Sequence, residues 1–457
     1  MIAQPATVAS DSDALSKLPA LFPQGKCPTP PATPSGALPR QAEVLEAFAK
    51  ATGRRPRRSA PDIYGWRYEY LAILDDHPEL TKNLAALVCR AITGASGQGP
   101  LEALLRSRLV PFSKDGGGVR PIAIGTILRR LVTRAFCTIF GKDITEAVGS
   151  EQYALQANGG ELMHKTVFGH MAMHPDHVMV SLDISNAFGT LQRDVALQAA
   201  GTIPGLSEWV HAMLACSPTH TFLDGLGRTH NYKMTRGLDQ GCPWSAQGFP
   251  LTLKRAIAKA CQQINTAEKQ ALLALFQDDI IVCCKLAEVP NVLAIFRVAL
   301  RELGLEVNQS KCSLAGADLQ AGTVVHGMTV TATPTVLKAH RWPAPLTQEG
   351  GCQAGEFLSD SSERFGKLGQ CRTAAGKRLR ELVLAGLPLQ QAFYLWRLLV
   401  NTDSTWMMRT ASIPKFAAQR LDDITASGVE HILGLDPLPL VSRRLLFISM
   451  REGGLGL

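Results

Sequence analysis

The chain has 457 residues, 46% of them hydrophobic, so it can bury the cores of about two or three domains. Its 47 Lys and Arg against 39 Asp and Glu give a net charge of +8, a mild basic excess that fits a partner carrying phosphates. The 11 cysteines include no Cys-x-x-Cys pair, which argues against a disulfide framework, and no stretch approaches the ~20 apolar residues of a membrane span. No signal pattern opens the chain, so we expect a soluble intracellular protein of the nucleus or cytoplasm, with no membrane partner.

The first forty residues have the composition of a disordered segment. Residues 1–40 are rich in Pro, Ala and Ser, and four prolines fall within residues 28–34. Such a segment cannot bury enough apolar surface to offset its ordering entropy. We therefore expect a disordered lead-in before the periodic sequence that starts near Val44.

The middle of the chain predicts one clear helix and one clear strand. Residues 126–140 carry apolar side chains at helical spacing, with Arg129 off the apolar face. Residues 177–184 alternate like a strand, which places Asp183 on the face opposite the apolar side chains. A carboxylate in that position can be presented at the surface of a sheet.

The last half of the chain predicts a strand pair followed by helices. Residues 271–284 form two apolar runs, typical of strands, that meet at polar residues 277–279. Residues 375–400 have helical spacing with interruptions at Gly386 and Pro388. The mixture of helices and short strands predicts an α+β fold with a helical C-terminal third.

Three carboxylates stand out at these strand ends. Asp278 and Asp279 are flanked on both sides by apolar strand sequence, where unpaired charge is costly to bury unless a cation offsets it. Alone, such a pair is more often a solvated turn. Together with Asp183, the pair would form an oxygen-rich site that suits Mg²⁺, and two such ions can promote an in-line phosphoryl transfer.

The carboxylates belong to an ordered series of segments. These are residues 109–114, 119–124, 183–188, 237–243, 276–279, 304–311 and 325–328. In order and spacing they resemble the fingers motifs, the catalytic motifs and the primer-grip hairpin of reverse transcriptases, over roughly residues 60–335. Residues 60–66, 152–161, 406–410 and 451–457 resemble the non-LTR (LINE-type) retrotransposon enzymes of that family.

This resemblance implies an RNA-directed DNA polymerase with the right-hand fold of fingers, palm and helical thumb. Its partners would be an RNA template, a DNA primer and dNTPs, and its cofactor two Mg²⁺ ions, with Mn²⁺ as an alternative. Asp183 and Asp278 match the main metal ligands, Asp279 an assisting one, and the Ile184 carbonyl would be available to one ion. The oligomeric state is not implied.

The resemblance also implies the nucleotide-binding residues. Phe188 matches the aromatic steric gate against a ribonucleotide 2′-hydroxyl, and Gln240 matches a contact to the sugar region. Arg120 and Lys114 would hold the triphosphate, and Lys311 is a candidate general acid for the leaving pyrophosphate. Outside the motifs, Phe188 could equally be core, Arg120 a salt-bridge partner and Lys311 a solvated lysine.

A group of histidines forms a second candidate metal site. His170, His174 and His177 suggest zinc, since the first two lie one helical turn apart. No carboxylate or cysteine completes a ligand spacing typical of zinc sites, which favours an ordinary structural interpretation.

The chain departs from the family pattern at three positions. Ala246 and Asn158 stand where proline is usual, and Pro250 falls where the helix of the second catalytic motif should be running. Proline in a helix interior costs ~3 kcal/mol or more. Either the helix starts near Pro250, or this wall of the nucleotide pocket is altered.

Three functions remain open from the sequence. The first is RNA-directed DNA polymerisation, and the second is a decayed or domesticated copy that binds nucleic acid without polymerising. The third, RNA-templated RNA polymerisation, is disfavoured because Phe188 and Gln277 stand where that class typically has an acidic residue and a glycine. We expect fingers and palm over residues 41–335 and a thumb with a truncated C-terminal region over 336–457, which would make the chain a fragment.

Overall fold

The computed structural model describes residues 7–29, 39–53, 59–92, 98–114, 117–267, 270–316, 318–331, 370, 372–400, 415–435 and 437–447. The described residues form two compact units. Unit 1 comprises those of residues 160–181 and 313–457, and unit 2 comprises those of 6–159 and 182–312. Segments 406–410 and 451–457, which contribute to the family resemblance, lie outside the described residues.

Helices dominate the secondary structure. They are α1 Asp11–Leu21, α2 Gln41–Gly53, α3 Ile73–Asp76, α4 Pro78–Ile92, α5 Gln98–Leu105, α6 Ile127–Ile139, α7 Gly141–Val148, α8 Gly159–Met173, α9 Ala187–Thr190, α10 Arg193–Ala200, α11 Leu206–Leu214, α12 Ser245–Ala267, α13 Val289–Arg301, α14 over 372–384, α15 Leu389–Leu395, α16 Lys415–Leu433 and α17 Leu440–Phe447. None that the structure describes is both long and apolar enough to cross a membrane.

Short strands lie between the helices. They are β1 Ser107–Ser113, β2 Val119–Gly125, β3 His177–Leu182, β4 Thr219–Leu223, β5 Thr229–Lys233, β6 Leu272–Phe276, β7 Asp279–Lys285, β8 Ser313–Ala315, β9 Val324–Val325 and β10 Met328–Val330. The predicted α+β fold is confirmed, as are the helix at 126–140 and the strand pair at 271–284.

Unit 2 contains a four-stranded sheet in the order β2-β1-β4-β5. The β1–β2 hairpin pairs Ser107 with Gly125 through to Ser113 with Val119, and β4 joins β1 in parallel. A separate antiparallel hairpin, β6–β7, pairs Leu272 with Cys283 and closes on Phe276 and Asp279. The two hairpins carry the segments that the sequence analysis assigned to the fingers and to the paired aspartates.

Unit 1 combines strands with a helical cluster. Strand β3 pairs antiparallel with β8, β8 runs parallel to β10, and β9–β10 form the hairpin predicted at residues 325–328. Every residue of β3 is buried, so both faces of the strand are covered, and the strand ends at Leu182, so Asp183 follows it and does not lie on it. Helices α14 to α17 pack around the fully buried Trp396.

The prediction that residues 1–40 are disordered is wrong for the part of this segment that forms helix α1. Ser10 caps the helix by accepting a hydrogen bond from the Asp13 amide, and Ala14 and Leu18 are fully buried. They belong to one apolar cluster with side chains of β1, β2 and β4. The average composition of residues 1–40 did not indicate this short capped helix, in which burial of apolar side chains offsets the ordering entropy.

Candidate active site

The paired aspartates lie at the β6–β7 turn, which is clamped from the side by one glutamine. Gln277 has a φ of 58°, a left-handed conformation that is unfavourable for a residue other than glycine. The Gln277 amide donates to Gln152 Oε1 at 2.9 Å, and Gln152 Nε2 donates to the Gln277 carbonyl at 3.1 Å. These two bonds hold the strained turn that presents Asp278 and Asp279.

Asp183 is held by the segment that follows α13. The Asn308 amide donates to the Asp183 carbonyl at 2.8 Å, and the Asp183 amide donates to the buried Cys312 Sγ at 3.5 Å. An antiparallel bridge joins Ile184 to Val307. The bonds that flank this bridge use the Asp183 carbonyl and the amide after Ile184, so the bridge does not use the Ile184 carbonyl.

The three carboxylates interact electrostatically, and we call Asp183, Asp278 and Asp279 the carboxylate cluster. Burial raises the pKa of Asp278 to about 6, and the charges of Asp279 and Asp183 add to the rise. Burial also raises the pKa of Asp183, with Asp279 adding to it and Lys311 opposing it. Half-buried carboxylates that repel each other are the donor set that a hard divalent cation would stabilise, so the residues present fit Mg²⁺.

Of the three predicted cationic residues, Lys114 and Lys311 interact electrostatically with this cluster, and Arg120 interacts with Lys114. Lys114 follows β1, Arg120 lies on β2, and Lys311 lies between α13 and β8. Partial desolvation lowers the pKa of Lys114, with the like charges of Arg120 and Lys311 adding to the effect, while Asp183 and Asp278 oppose it. The fold therefore brings the predicted triphosphate-binding residues next to the predicted metal ligands.

The segment around Gln240 packs closely on two neighbouring motifs. The Ala123 amide of β2 donates to the Gln240 carbonyl at 2.7 Å, and the Leu238 amide donates to the Phe188 carbonyl at 2.7 Å. Gly241 has a φ of 112°, and a Cβ there would stand 2.7 Å from the Ala123 carbonyl oxygen. Only glycine allows this approach. Gln240 Oε1 is buried and accepts no hydrogen bond from the described residues.

Phe188 stacks on a second aromatic ring. Its centroid lies 4.6 Å from that of Phe249 with an interplanar angle of 29°, and Phe249 is fully buried while Phe188 is half-buried. Phe249 thus limits the positions that the Phe188 ring can take.

Pro250 lies inside α12, so the expectation that the helix starts near it is wrong. The helix begins at Ser245, and a proline at position 250 has no amide hydrogen to donate to the carbonyl of Ala246. That carbonyl instead accepts a hydrogen bond from Gln277 Nε2 at 3.0 Å. The side chain next to Asp278 therefore replaces the donor that proline lacks.

A buried ionic network beneath Gln240 was missed by the sequence analysis, which placed Arg129 off the apolar face of its helix. Arg129 is buried and donates to Asp239 Oδ2 at 2.5 Å and to the Leu105 carbonyl at 2.9 Å. His220 Nε2 lies 2.8 Å from Asp239 Oδ1. Burial alone would raise the pKa of Asp239, but His220 and Arg129 hold it well below its usual range. No local signal identifies this network, since its members come from α6, β4 and the loop before α12.

Comparisons with known proteins agree with this geometry. Residues 112–335 match the family model described as reverse transcriptase (RNA-dependent DNA polymerase). The retrotransposable element SLACS 132 kDa protein of Trypanosoma brucei gambiense is 24% identical over 442 residues, which cover 94% of this chain and 34% of that protein. The retrovirus-related Pol polyprotein from type-1 retrotransposable element R2 of Popillia japonica is 24% identical over 287 residues, covering 61% of this chain and 46% of that protein.

The chain thus spans between a third and a half of the length of these two relatives. Among solved structures, apo telomerase from Candida tropicalis truncated from its C-terminal domain aligns with 48% of this chain and 51% of its own, at 10% identity and a TM-score of 0.36. That partial likeness carries no argument for the site.

Proposed function

Because residues 112–335 are a reverse transcriptase domain related to those of non-LTR retrotransposon proteins, we propose that this chain is the RNA-directed DNA polymerase of such an element. The observation that supports the proposal most is the meeting of Asp183, Asp278, Asp279 and Lys114 at one site of unit 2. A right-hand arrangement with fingers and palm over 41–335 and a thumb after 335 belongs to the same proposal.

The carboxylate cluster would hold two Mg²⁺ ions, or Mn²⁺ in their place. Asp183 and Asp278 are the main ligands in this proposal, with Asp279 assisting and the Ile184 carbonyl completing one coordination shell. Such ions, when bound, lower the pKa of a primer 3′-hydroxyl and neutralise charge on the leaving pyrophosphate. The chain itself contributes position, because the Gln152 clamp and the Asn308 bond fix the carboxylates before substrate arrives.

The cationic residues would bind the dNTP. Arg120 and Lys114 neutralise the triphosphate, and Lys311 donates a proton to the pyrophosphate oxygen as it leaves. Desolvation and, to a smaller extent, the like charges of Arg120 and Lys311 lower the pKa of Lys114, and an anionic triphosphate would neutralise those charges. Gln240 offers its buried Oε1 to the sugar region, and Phe188, held by Phe249, excludes a 2′-hydroxyl.

An RNA template and a DNA primer are the proposed macromolecular partners, and the mild basic excess suits both. The cysteines whose side chains the structure describes are all free thiols. This agrees with action in the reducing environment of the nucleus or cytoplasm.

Primer extension on an RNA template with Mg²⁺ tests the proposal. Asp278→Asn should reduce dNTP incorporation by at least about 10³-fold, because it removes a ligand that the transition state needs. Asp194→Asn is the matched control, since Asp194 is an exposed aspartate of the same unit on α10. Equal incorporation by wild type and Asp278→Asn would falsify the assignment.

One further outcome favours the alternative function. RNA binding by the wild-type chain without extension, in Mg²⁺ and in Mn²⁺ alike, would identify a domesticated copy that binds nucleic acid without polymerising. The observation that motivates this arm is Pro250 inside α12, next to the catalytic turn.

A further inference from the structure

A second cluster of ligand-type side chains lies in unit 1, at the junction of α8 and β3. His170 is on the last turn of α8, and His174 follows one turn later. The chain then reverses: the His174 amide donates to the His170 carbonyl at 2.9 Å, and the His177 amide donates to the His174 carbonyl at 3.0 Å. His177 is the first residue of β3. This tight turn folds three imidazoles onto one another.

The three imidazole rings are in direct contact with one another. The centroids lie 4.6 Å apart for His170 and His174, 4.9 Å for His174 and His177, and 5.1 Å for His170 and His177. His170 Nε2 is 3.0 Å from His177 Nδ1. We call these three residues and Asp176 the histidine cluster.

Asp176 supplies the carboxylate that the sequence analysis did not find. One ligand atom each from His174, Asp176 and His177 lies within 4.8 Å of the other two. A tetrahedral ion with bonds of about 2.0–2.1 Å needs its ligand atoms roughly 3.4 Å apart. Side-chain rotations that move the ligand atoms by about 1 Å would therefore complete the site. Asp176 is exposed and His174 half-buried, which gives an ion direct access.

His170 also makes a direct contact to His177. Its Nε2 lies 3.0 Å from His177 Nδ1, so one of the two ring nitrogens donates a hydrogen bond to the other. A metal-bound imidazole is typically oriented by such a second contact on its other side.

We propose that His174, Asp176 and His177 bind a divalent transition-metal ion, represented by Zn²⁺, and that His170 is a positioning residue that orients His177. Two imidazoles and one carboxylate suit ions such as zinc and leave a fourth position for solvent. The carboxylate cluster of unit 2 offers only oxygen ligands and selects hard ions such as Mg²⁺. The two sites therefore differ in the metal that each prefers.

Zinc binding to the full chain, purified without a histidine tag and stripped with a chelator, tests this proposal. Zn²⁺ is titrated in competition with a chromophoric chelator, in buffer containing Mg²⁺ to occupy the oxygen site. The wild type should bind one equivalent. His174→Gln and Asp176→Asn should each weaken that binding by at least about 10-fold, since each removes a ligand.

Three variants separate the possible explanations. Asp278→Asn tests whether zinc enters the carboxylate cluster instead, and His326→Gln is the control for loss of an exposed histidine in the same unit. Both should bind zinc as the wild type does. His170→Gln should keep the one-equivalent stoichiometry with about 10–100-fold lower affinity, the signature of a positioning residue.

Two outcomes would overturn the inference. One is wild-type zinc affinity in Asp176→Asn, a substitution at an exposed side chain. The other is a loss of zinc confined to Asp278→Asn. The visible absorption of bound Co²⁺ gives a second reading, since it reports nitrogen and oxygen ligands in a tetrahedral site directly and should disappear in the same variants.

Discussion

The carboxylate cluster and the histidine cluster gather their ligand atoms over different distances along the chain. Asp183 and the Asp278–Asp279 pair follow different strands far apart in sequence, whereas the histidine cluster lies entirely within residues 170–177. The first depends on tertiary supports such as Gln152 and Asn308. The second depends on one helix end and one turn.

The two clusters are therefore sensitive to different kinds of substitution. A site assembled from distant segments can be disrupted by substitutions that touch no ligand, because its supports are spread through unit 2. A site formed by one turn is disrupted mainly by changes to its own residues. Three predictions test how unit 2 depends on such distant contacts: one on the buried network of Arg129, one on a member of the carboxylate cluster and one on the turn that carries it.

The largest effect is expected at Arg129. Arg129→Met leaves Asp239 buried with one oxygen unpaired and the other still bonded to His220, so the free energy of unfolding should fall by about 3–5 kcal/mol. Urea denaturation followed by circular dichroism measures the change. Arg130→Met is the control on the same helix: Arg130 lies over the Tyr68 ring at 4.7 Å, a contact worth about 1 kcal/mol. Equal decreases in the free energy of unfolding for Arg129→Met and Arg130→Met would mean that the buried network stabilises the fold no more than a surface contact does.

A smaller effect of opposite sign is expected at Asp278 in the absence of metal. Burial raises the pKa of Asp278 in the folded chain to about 6, above its ordinary value of 3.8, so folding favours the protonated form. The corresponding stability is present below about pH 4 and is lost as the pH rises through about 6. Asp278→Asn should therefore stabilise the chelator-treated protein by about 3 kcal/mol at pH 7, and by little at pH 4.

Thermal unfolding in chelator at the two pH values checks this. Asp194→Asn should give no pH-dependent gain, since Asp194 is exposed. An Asp278→Asn variant no more stable than wild type at pH 7 would show that the carboxylate cluster is not under electrostatic strain.

The smallest effect is expected at Gln277. Gln277→Met removes the donor to the Ala246 carbonyl and should lower stability by about 1 kcal/mol. In a Pro250→Ala background the helix amide at position 250 can bond that carbonyl instead, so Gln277→Met should then cost less. A double-mutant cycle of unfolding free energies measures the coupling. Additive effects would show that Gln277 does not replace the missing helix donor.

Local patterns in the sequence predicted the elements correctly where neighbouring residues decide the structure. Apolar spacing located α6, and the two apolar runs located the β6–β7 hairpin. The same logic failed where a partner far along the chain decides. Arg129 was placed off the apolar face of its helix because no residue near it in sequence indicates its ion pair with Asp239. Strand β3 is buried on both faces, which its own alternating sequence does not indicate.

The candidate sites show the same limit. Strand context in the sequence grouped Asp183 with Asp278 and Asp279 as a possible metal site, but the role of each residue came from the resemblance to a family. The sequence left open whether the helix starts near Pro250 or the pocket wall is altered, and the bond from Gln277 to the Ala246 carbonyl, which lets the helix run through Pro250, is a tertiary contact. Asp176 was overlooked because its place beside His174 and His177 arises from a turn geometry that no standard ligand spacing encodes.

The most direct test of the account measures RNA-templated primer extension and zinc stoichiometry on the same preparations of Asp278→Asn and Asp176→Asn. Asp278→Asn should lose extension by at least about 10³-fold and keep its zinc. Asp176→Asn should lose its zinc and extend the primer as the wild type does. Undiminished extension by Asp278→Asn would contradict the central claim that the carboxylate cluster is the polymerase centre.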